Sequence, residues 1–219
     1  MKEQYFTPAS IQDKAAEMAQ SLVVLRSRHE NMRLDPLRTA LLVLDLQEYF
    51  LDPGSHAFIP SATAILPGVQ KLIAAHAAGS RLVVFTRHIN DDRNVGLMSA
   101  WWQDLIREES ALSKISAELD TTAGKTLSKT QYDAFYQTDL KNILRGEGVE
   151  QVVITGVMTH LCCETTARSA FMRGFEVFFA IDGTATYTEA FHQATLLNLA
   201  HGFALPVQVT EILAAYGSV

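Results

Sequence analysis

Four apolar runs punctuate the chain: TALLVLDL (39–46), RLVVFT (81–86), QVVITGV (151–157) and EVFFAID (176–182). None alternates strictly enough for a strand with one wet face, so each reads as a strand buried on both sides. Between them apolar residues recur at helical spacing over Ala62 to Ala78, Thr138 to Arg145, Leu161 to Arg173 and Glu189 to His201. Glycines at 79, 146, 148, 174 and 202 stand where those helices should stop, as left-handed caps. Shorter strands are predicted over Thr126 to Lys129 and Pro206 to Val209. Strand and helix in alternation imply βαβ units with right-handed crossovers. The expected fold class is α/β: a three-layer α/β/α sandwich on a mainly parallel, Rossmann-like sheet of about six strands. Ahead of it, Ile11, Ala15, Met18, Leu22 and Leu25 mark a helix over 9–29, capped by Ser10 or Asp13. The organisation expected is a helical arm at 1–36 followed by one domain at 37–219.

Composition narrows the function classes. A net charge of −6 and a pI near 5.6 argue against nucleic acid, which needs a clustered basic surface. No apolar run approaches the roughly 18 residues of a membrane span. The segment MKEQYFTPASIQDKAAEM carries charges where a secretory signal would be apolar, so a cytoplasmic location is expected. The two cysteines, Cys162 and Cys163, are adjacent, which excludes a disulfide framework and makes no zinc motif. By themselves they read as two small packed residues.

Open parallel sheets bind ligands beyond the carboxyl ends of their strands. Asp45 ends the first predicted strand, Lys129 ends the short middle one, and Cys162 lies just past the strand that closes near Gly156. Alone, Asp45 could merely cap a helix and Lys129 could be solvated. Their joint placement at strand ends points to a site. The segments LLVLDLQEYF, LSKTQYDAF and VVITGVMTHLCCETTARSAFMRGFEV resemble the isochorismatase-like cysteine hydrolases. That superfamily includes nicotinamidases, N-carbamoylsarcosine amidohydrolases, biuret and maleamate hydrolases, and isochorismatases. The resemblance runs from about Thr39 onward and leaves the arm outside it. Its TGVxTxxC pattern selects Cys162 rather than Cys163.

The resemblance implies a catalytic set of Asp45, Lys129 and Cys162, and the chemistry is intelligible on its own. A cysteine nucleophile needs an adjacent base or a lowered pKa. A helix starting near His160 would favour a thiolate at Cys162, with Asp45 accepting the thiol proton and Lys129 balancing charge. The expected reaction is cleavage of an amide or ureido C–N bond in a small molecule through a thioester. The resemblance also implies an oxyanion hole from the N–H groups of Met158 and Cys162, with a cis peptide between Val157 and Met158. Two other readings stand beside this one: a vinyl-ether hydrolase of the isochorismatase type using Asp45, and a catalytically silent binding or assembly module.

Gln47, two residues after Asp45, should point the same way and orient the aspartate or the substrate. Trp101 and Trp102 follow a loop long enough to overhang the site, and Trp101 is assigned to the substrate wall. His160 is a further substrate-binding candidate, because isochorismatases often carry His in that place. Tyr187 and Phe191 either line the pocket or pack, Arg87 is a candidate for a substrate carboxylate, and Arg168 is expected in a structural ion pair. Nicotinamidases of this superfamily hold a metal through Asp-x-His and a further His. Here TRHIND offers His88 without that Asp, so neither metal nor cofactor is expected. The partner expected is a small-molecule substrate. The arm's apolar residues, with no obvious place in the core, and the family's habit predict a homo-oligomer, a dimer or tetramer.

Overall fold

The computed structural model describes residues 2–102 and 104–217. Its strands are β1 (Thr39–Leu44), β2 (Val83–His88), β3 (Lys125–Lys129), β4 (Gln151–Val157), β5 (Glu176–Ala185) and β6 (Leu205–Val207). They form one six-stranded sheet in the order β3-β2-β1-β4-β5-β6, parallel at every pairing. The helices are α1 (Ile11–Ser21), α2 (Val23–Ser27), α3 (Glu48–Leu51), α4 (Ala62–Ala78), α5 (Met98–Trp101), α6 (Leu140–Gly146), α7 (Glu164–Met172), α8 (Glu189–Gly202) and α9 (Val209–Ala215). They cover both faces of the sheet, giving the three-layer α/β architecture that the alternation predicts. No helix among the described residues is long and apolar enough to cross a membrane.

The strand order explains the apolar runs. Every residue of β1 and of β4 is buried, so neither strand can show an inside–outside alternation. From β1 the chain works outward through β2 and β3, then returns to the other flank of β1 with β4. The crevice where that direction reverses lies between the carboxyl ends of β1 and β4. There the two backbones run too close for a side chain. Gly156 has φ of +112°, and a Cβ on it would lie 2.0 Å from the Leu44 carbonyl oxygen.

Some boundaries differ from the sequence expectation. The helix over 9–29 divides at Leu22, whose ψ of 2° leaves the helical range. The strand predicted over 206–209 stops at Val207, because Gln208 and Glu211 form a capping box that starts α9. Among the predicted glycine caps, Gly148 and Gly174 take positive φ, whereas after α4 Ser80 does so in place of Gly79.

The arm corrects an expectation. Phe6, Ile11, Ala15, Met18 and Leu22 are buried and belong to the same hydrophobic core as the sheet. The stripe that lacked an evident place packs on its own chain, with α1 lying against β5. Burying each large side chain in this way contributes about 1.5–3 kcal/mol. The arm's apolar stripe therefore gives no ground for an exchange between subunits.

Candidate active site

The three candidate residues converge in the crevice between β1 and β4. Asp45 follows the last residue of β1 with φ of +52°, which turns the chain sharply out of the strand. Lys129 is the last residue of β3. After β4 the Val157–Met158 peptide is cis, as the resemblance implies, and a five-residue π turn, Thr159–Cys163, leads into α7. Lys129 Nζ lies 2.7 Å from Asp45 Oδ2 and donates to Cys162 Sγ at 3.4 Å, to Gln131 O at 2.9 Å and to His88 Nδ1 at 3.3 Å. An ammonium has three protons for these four neighbours. Asp45 Oδ2 is the one left with a charge partner but no aligned hydrogen bond. Its other oxygen accepts from Thr86 Oγ1 at 2.7 Å.

Burial sets the electrostatics. Asp45 and Lys129 have fully buried side chains, which opposes both charges, yet their mutual attraction prevails. Burial raises the Asp45 pKa, but Lys129 and the Thr86 hydrogen bond bring it below its ordinary value. Burial likewise lowers Lys129, and Asp45 with Cys162 brings it above the usual lysine range. The thiol behaves differently from the low-pKa expectation. Burial pushes Cys162 up to about 12, and the Asp45 charge adds to that push against the pull of Lys129. At neutral pH the cluster therefore holds an aspartate, an ammonium and an un-ionised thiol. Cys163 is a buried neighbour, its Sγ 3.9 Å from Thr155 O.

His88 lines the same pocket, and its tautomer follows from its partners. A donor-only ammonium at Nδ1 requires that nitrogen to accept, so Nε2 carries the proton and donates to Asn90 Oδ1 at 2.8 Å. Burial and the Lys129 charge push His88 down to about 4, which keeps it neutral. Asp45, His88 and Cys162 offer ligand atoms within 4.8 Å of one another. A divalent ion does not fit among them. The lysine ammonium already contacts all three, and neither ring nitrogen of His88 has a free lone pair.

Cys162 opens into a cavity at the carboxyl end of the sheet. Tyr49, Phe50, Trp102, Tyr132 and Tyr187 give it aromatic walls, with Met158 and Leu161 beside the thiol. At its edge His56 Nδ1 lies 3.3 Å from an Asp104 carboxylate oxygen, and Tyr49 Oη donates to the same carboxylate. Among the described residues no Lys or Arg lines this cavity.

Several expected substrate contacts fall elsewhere. Gln47 is fully buried and does not reach the cavity: its Nε2 donates to Ser113 O and His88 O, and its Oε1 accepts from His88 N. The positive φ of Asp45 breaks the strand alternation on which its predicted direction rested. Trp101 is 79% exposed. The backbone becomes extended at Trp102, so the second tryptophan turns inward and its Nε1 donates to Tyr132 Oη at 3.0 Å. His160 faces away from the cavity, stacked on Phe191 at 4.5 Å with its Nδ1 2.6 Å from Thr186 Oγ1. Arg87 is turned to Glu108 and Ser113. Arg168 forms its expected ion pair, with Glu164 one helical turn earlier. No hydrophobic pattern in the sequence singles out Tyr49, Tyr132 or Asp104, which also line the cavity. Tyr132 lies within one of the recognised segments, and only its spacing from Lys129 could have singled it out.

Comparison with known proteins shows the family of the chain. The model of the isochorismatase domain matches residues 39–211. The chain is 38% identical over 192 residues to Nicotinamidase 3 of Arabidopsis thaliana, covering 84% of this chain and 93% of that protein. It is 31% identical to an isochorismatase of Bacillus subtilis, covering 82% of this chain and 58% of that one. Among solved structures, a cysteine hydrolase from Pseudomonas syringae superposes with a TM-score of 0.81 at 26% identity, covering 85% of this chain and 96% of that one. With its domain match, its sheet order and its relatives in agreement, the chain belongs to the isochorismatase family of hydrolases.

Proposed function

We propose that the protein is a cysteine hydrolase that cleaves the C–N bond of a small, uncharged amide with an aromatic or similarly flat body. The observation that carries this reading is the ammonium of Lys129, held between the Asp45 carboxylate and the Cys162 thiol at the floor of an aromatic cavity. As Sγ attacks the substrate carbonyl, Asp45 Oδ2 takes the thiol proton, and Lys129 stays charged beside the developing negative charge. The N–H groups of Met158 and Cys162 serve as oxyanion donors. Protonated Asp45 then returns the proton to the departing nitrogen, leaving a thioester. Water, deprotonated by Asp45, cleaves the thioester and releases a carboxylic acid, and the proton on Asp45 returns to the departing Cys162 Sγ. A lining with no lysine or arginine among the described residues and one carboxylate at its edge favours neutral substrates over anionic ones.

The vinyl-ether reading has one supporting fact, the similarity to an isochorismatase. Two features weigh against it. Isochorismate is a dicarboxylate that would meet Asp104 rather than a cation, and a proton-donating role needs Asp45 protonated, whereas Lys129 favours its ionised form. The test measures ammonia release from nicotinamide and benzamide, and consumption of isochorismate, by wild type and Cys162→Ala. Amide turnover that falls about 10⁴-fold or more in Cys162→Ala is the expected result. Consumption of isochorismate that survives in Cys162→Ala, with no ammonia from either amide, would replace this reading by the other.

A further inference from the structure

The arm lies outside the matched domain, yet its first described residues touch both sides of the cavity. We propose that residues 2–6 act as a strap that positions two cavity walls and the thiol-bearing turn, with Tyr5 as its central positioning residue. The proposal rests on the reading of that cavity as the substrate site.

One wall is the segment 56–61 and the other is 186–189. Among the described residues, the hydrogen bond that joins them directly is a long one, from Tyr187 Oη to Ala57 O at 3.4 Å. The strap supplies the rest. Lys2 Nζ donates to His56 O and stands 4.7 Å over the Tyr187 ring. Glu3 N donates to Tyr187 O at 2.8 Å, and Glu3 Oε2 accepts from Glu189 N at 3.0 Å. On the facing wall, Ser61 Oγ donates to Glu3 O at 3.2 Å and accepts from Phe6 N at 3.1 Å.

Tyr5 reaches further in. Its hydroxyl oxygen accepts from Thr186 N at 3.0 Å, so its own proton is free for His192 Nδ1 at 2.9 Å. The same nitrogen lies 3.3 Å from Thr159 Oγ1, on the first residue of the π turn that carries Cys162. Thr186 in turn meets His160 of that turn through its side chain. A phenol from the arm thus stands two hydrogen bonds from the backbone that presents the thiol. The Tyr5 contacts are directional and buried, and with those of Lys2 and Glu3 they add hydrogen bonds between two wall segments that flank the packed pair α4 and β5.

The experiment alkylates Cys162 with iodoacetamide and with N-phenyliodoacetamide, following the modified peptide by mass spectrometry. Intrinsic thiol reactivity cancels in the ratio of the two rates, so the ratio reports the walls alone. In Tyr5→Phe and Lys2→Ala the ratio of aromatic to small reagent is expected to fall about tenfold, the iodoacetamide rate itself changing much less. Arg26→Ala, which removes the arm's ion pair with Glu211 away from the cavity, should leave the ratio unchanged. A ratio unmoved in both strap variants, or one that falls equally in Arg26→Ala, would overturn the proposal. Where wild-type Cys162 resists both reagents, as its buried and un-ionised thiol allows, N-phenylacetamide protection of the pocket against proteolysis, compared across the same variants, decides the strap: equal protection overturns it, and weaker protection in the strap variants supports it.

Discussion

Two buried polar clusters meet the turn Thr159–Cys163, and they are built from opposite materials. On one side Asp45, Lys129 and Cys162 hold two full charges beneath the cavity, with one carboxylate oxygen lacking an aligned donor. On the other side Tyr5, His192, Thr186 and His160 are uncharged groups linked by hydroxyl and imidazole hydrogen bonds. Burial keeps the two histidines neutral, pushing His192 down to about 3 and His160 below its usual value. A buried charge costs several kcal/mol and is worth holding where charge must change during a reaction. A neutral network costs less and fixes geometry. The charged cluster is suited to chemistry, the neutral one to position.

The sharpest way to break this comparison is to neutralise one charge. Asp45→Asn should lower turnover by about 10³-fold, the usual scale for a lost general acid–base. The same change removes one of the two influences that raise the thiol pKa, while the pull of Lys129 remains. Alkylation of Cys162 at pH 9 should therefore become faster than in wild type even as turnover collapses. Slower alkylation would mean that Asp45 activates the resting thiol, and the division of labour would fail.

Lys129→Met tests the cost of the ion pair. It leaves Asp45 buried without its cation, and urea unfolding should show a loss of about 3–5 kcal/mol. Asp45→Asn in the same chain should restore much of it. A loss under about 1 kcal/mol would mean that water enters the cluster and that the pair is not buried as described.

The neutral cluster has its own signature in pH. The His192 pKa is lower folded than unfolded, so the stability tied to its neutral form is complete above about 6.5. That stability is lost as pH falls toward 3, at about 1.4 kcal/mol per pH unit. His76 and His88, each pushed down to about 4 chiefly by burial, contribute with the same sign. In His192→Phe, the dependence of unfolding free energy on pH between 6 and 4 should be shallower by one histidine's share. An unchanged slope would mean that His192 already carries a proton in the folded protein.

Long regular patterns in the sequence were legible, and local reversals were not. Strands β1 and β4 are apolar throughout because both their faces are covered, and that pattern survives in one dimension. Asp45, Lys129 and Cys162 could be grouped because the carboxyl-end rule needs only strand boundaries. Gln47 could not, since one residue with positive φ reversed the direction that alternation assigns. Trp101 and Trp102 differ by a single backbone change at the end of a one-turn helix, which no periodicity encodes. The resting state of the thiol was hidden for another reason. It depends on burial and on Asp45, which lies more than a hundred residues away in sequence, and these outweigh the helix end that the local sequence suggests. The arm's stripe was visible, but its docking surface on β5 was not.

The bond between Tyr5 and His192 spans 187 positions of the chain. On a ribosome adding about 5–20 residues per second, the strap segment waits roughly 10–40 seconds for its docking site to be made. During that interval the charged cluster could assemble no earlier than β4 and its following turn, and the neutral one only with α8. A nascent chain halted just after the thiol-bearing turn would hold the reactive groups without the segments that aim them. Order of synthesis thus separates having the chemistry from being able to direct it.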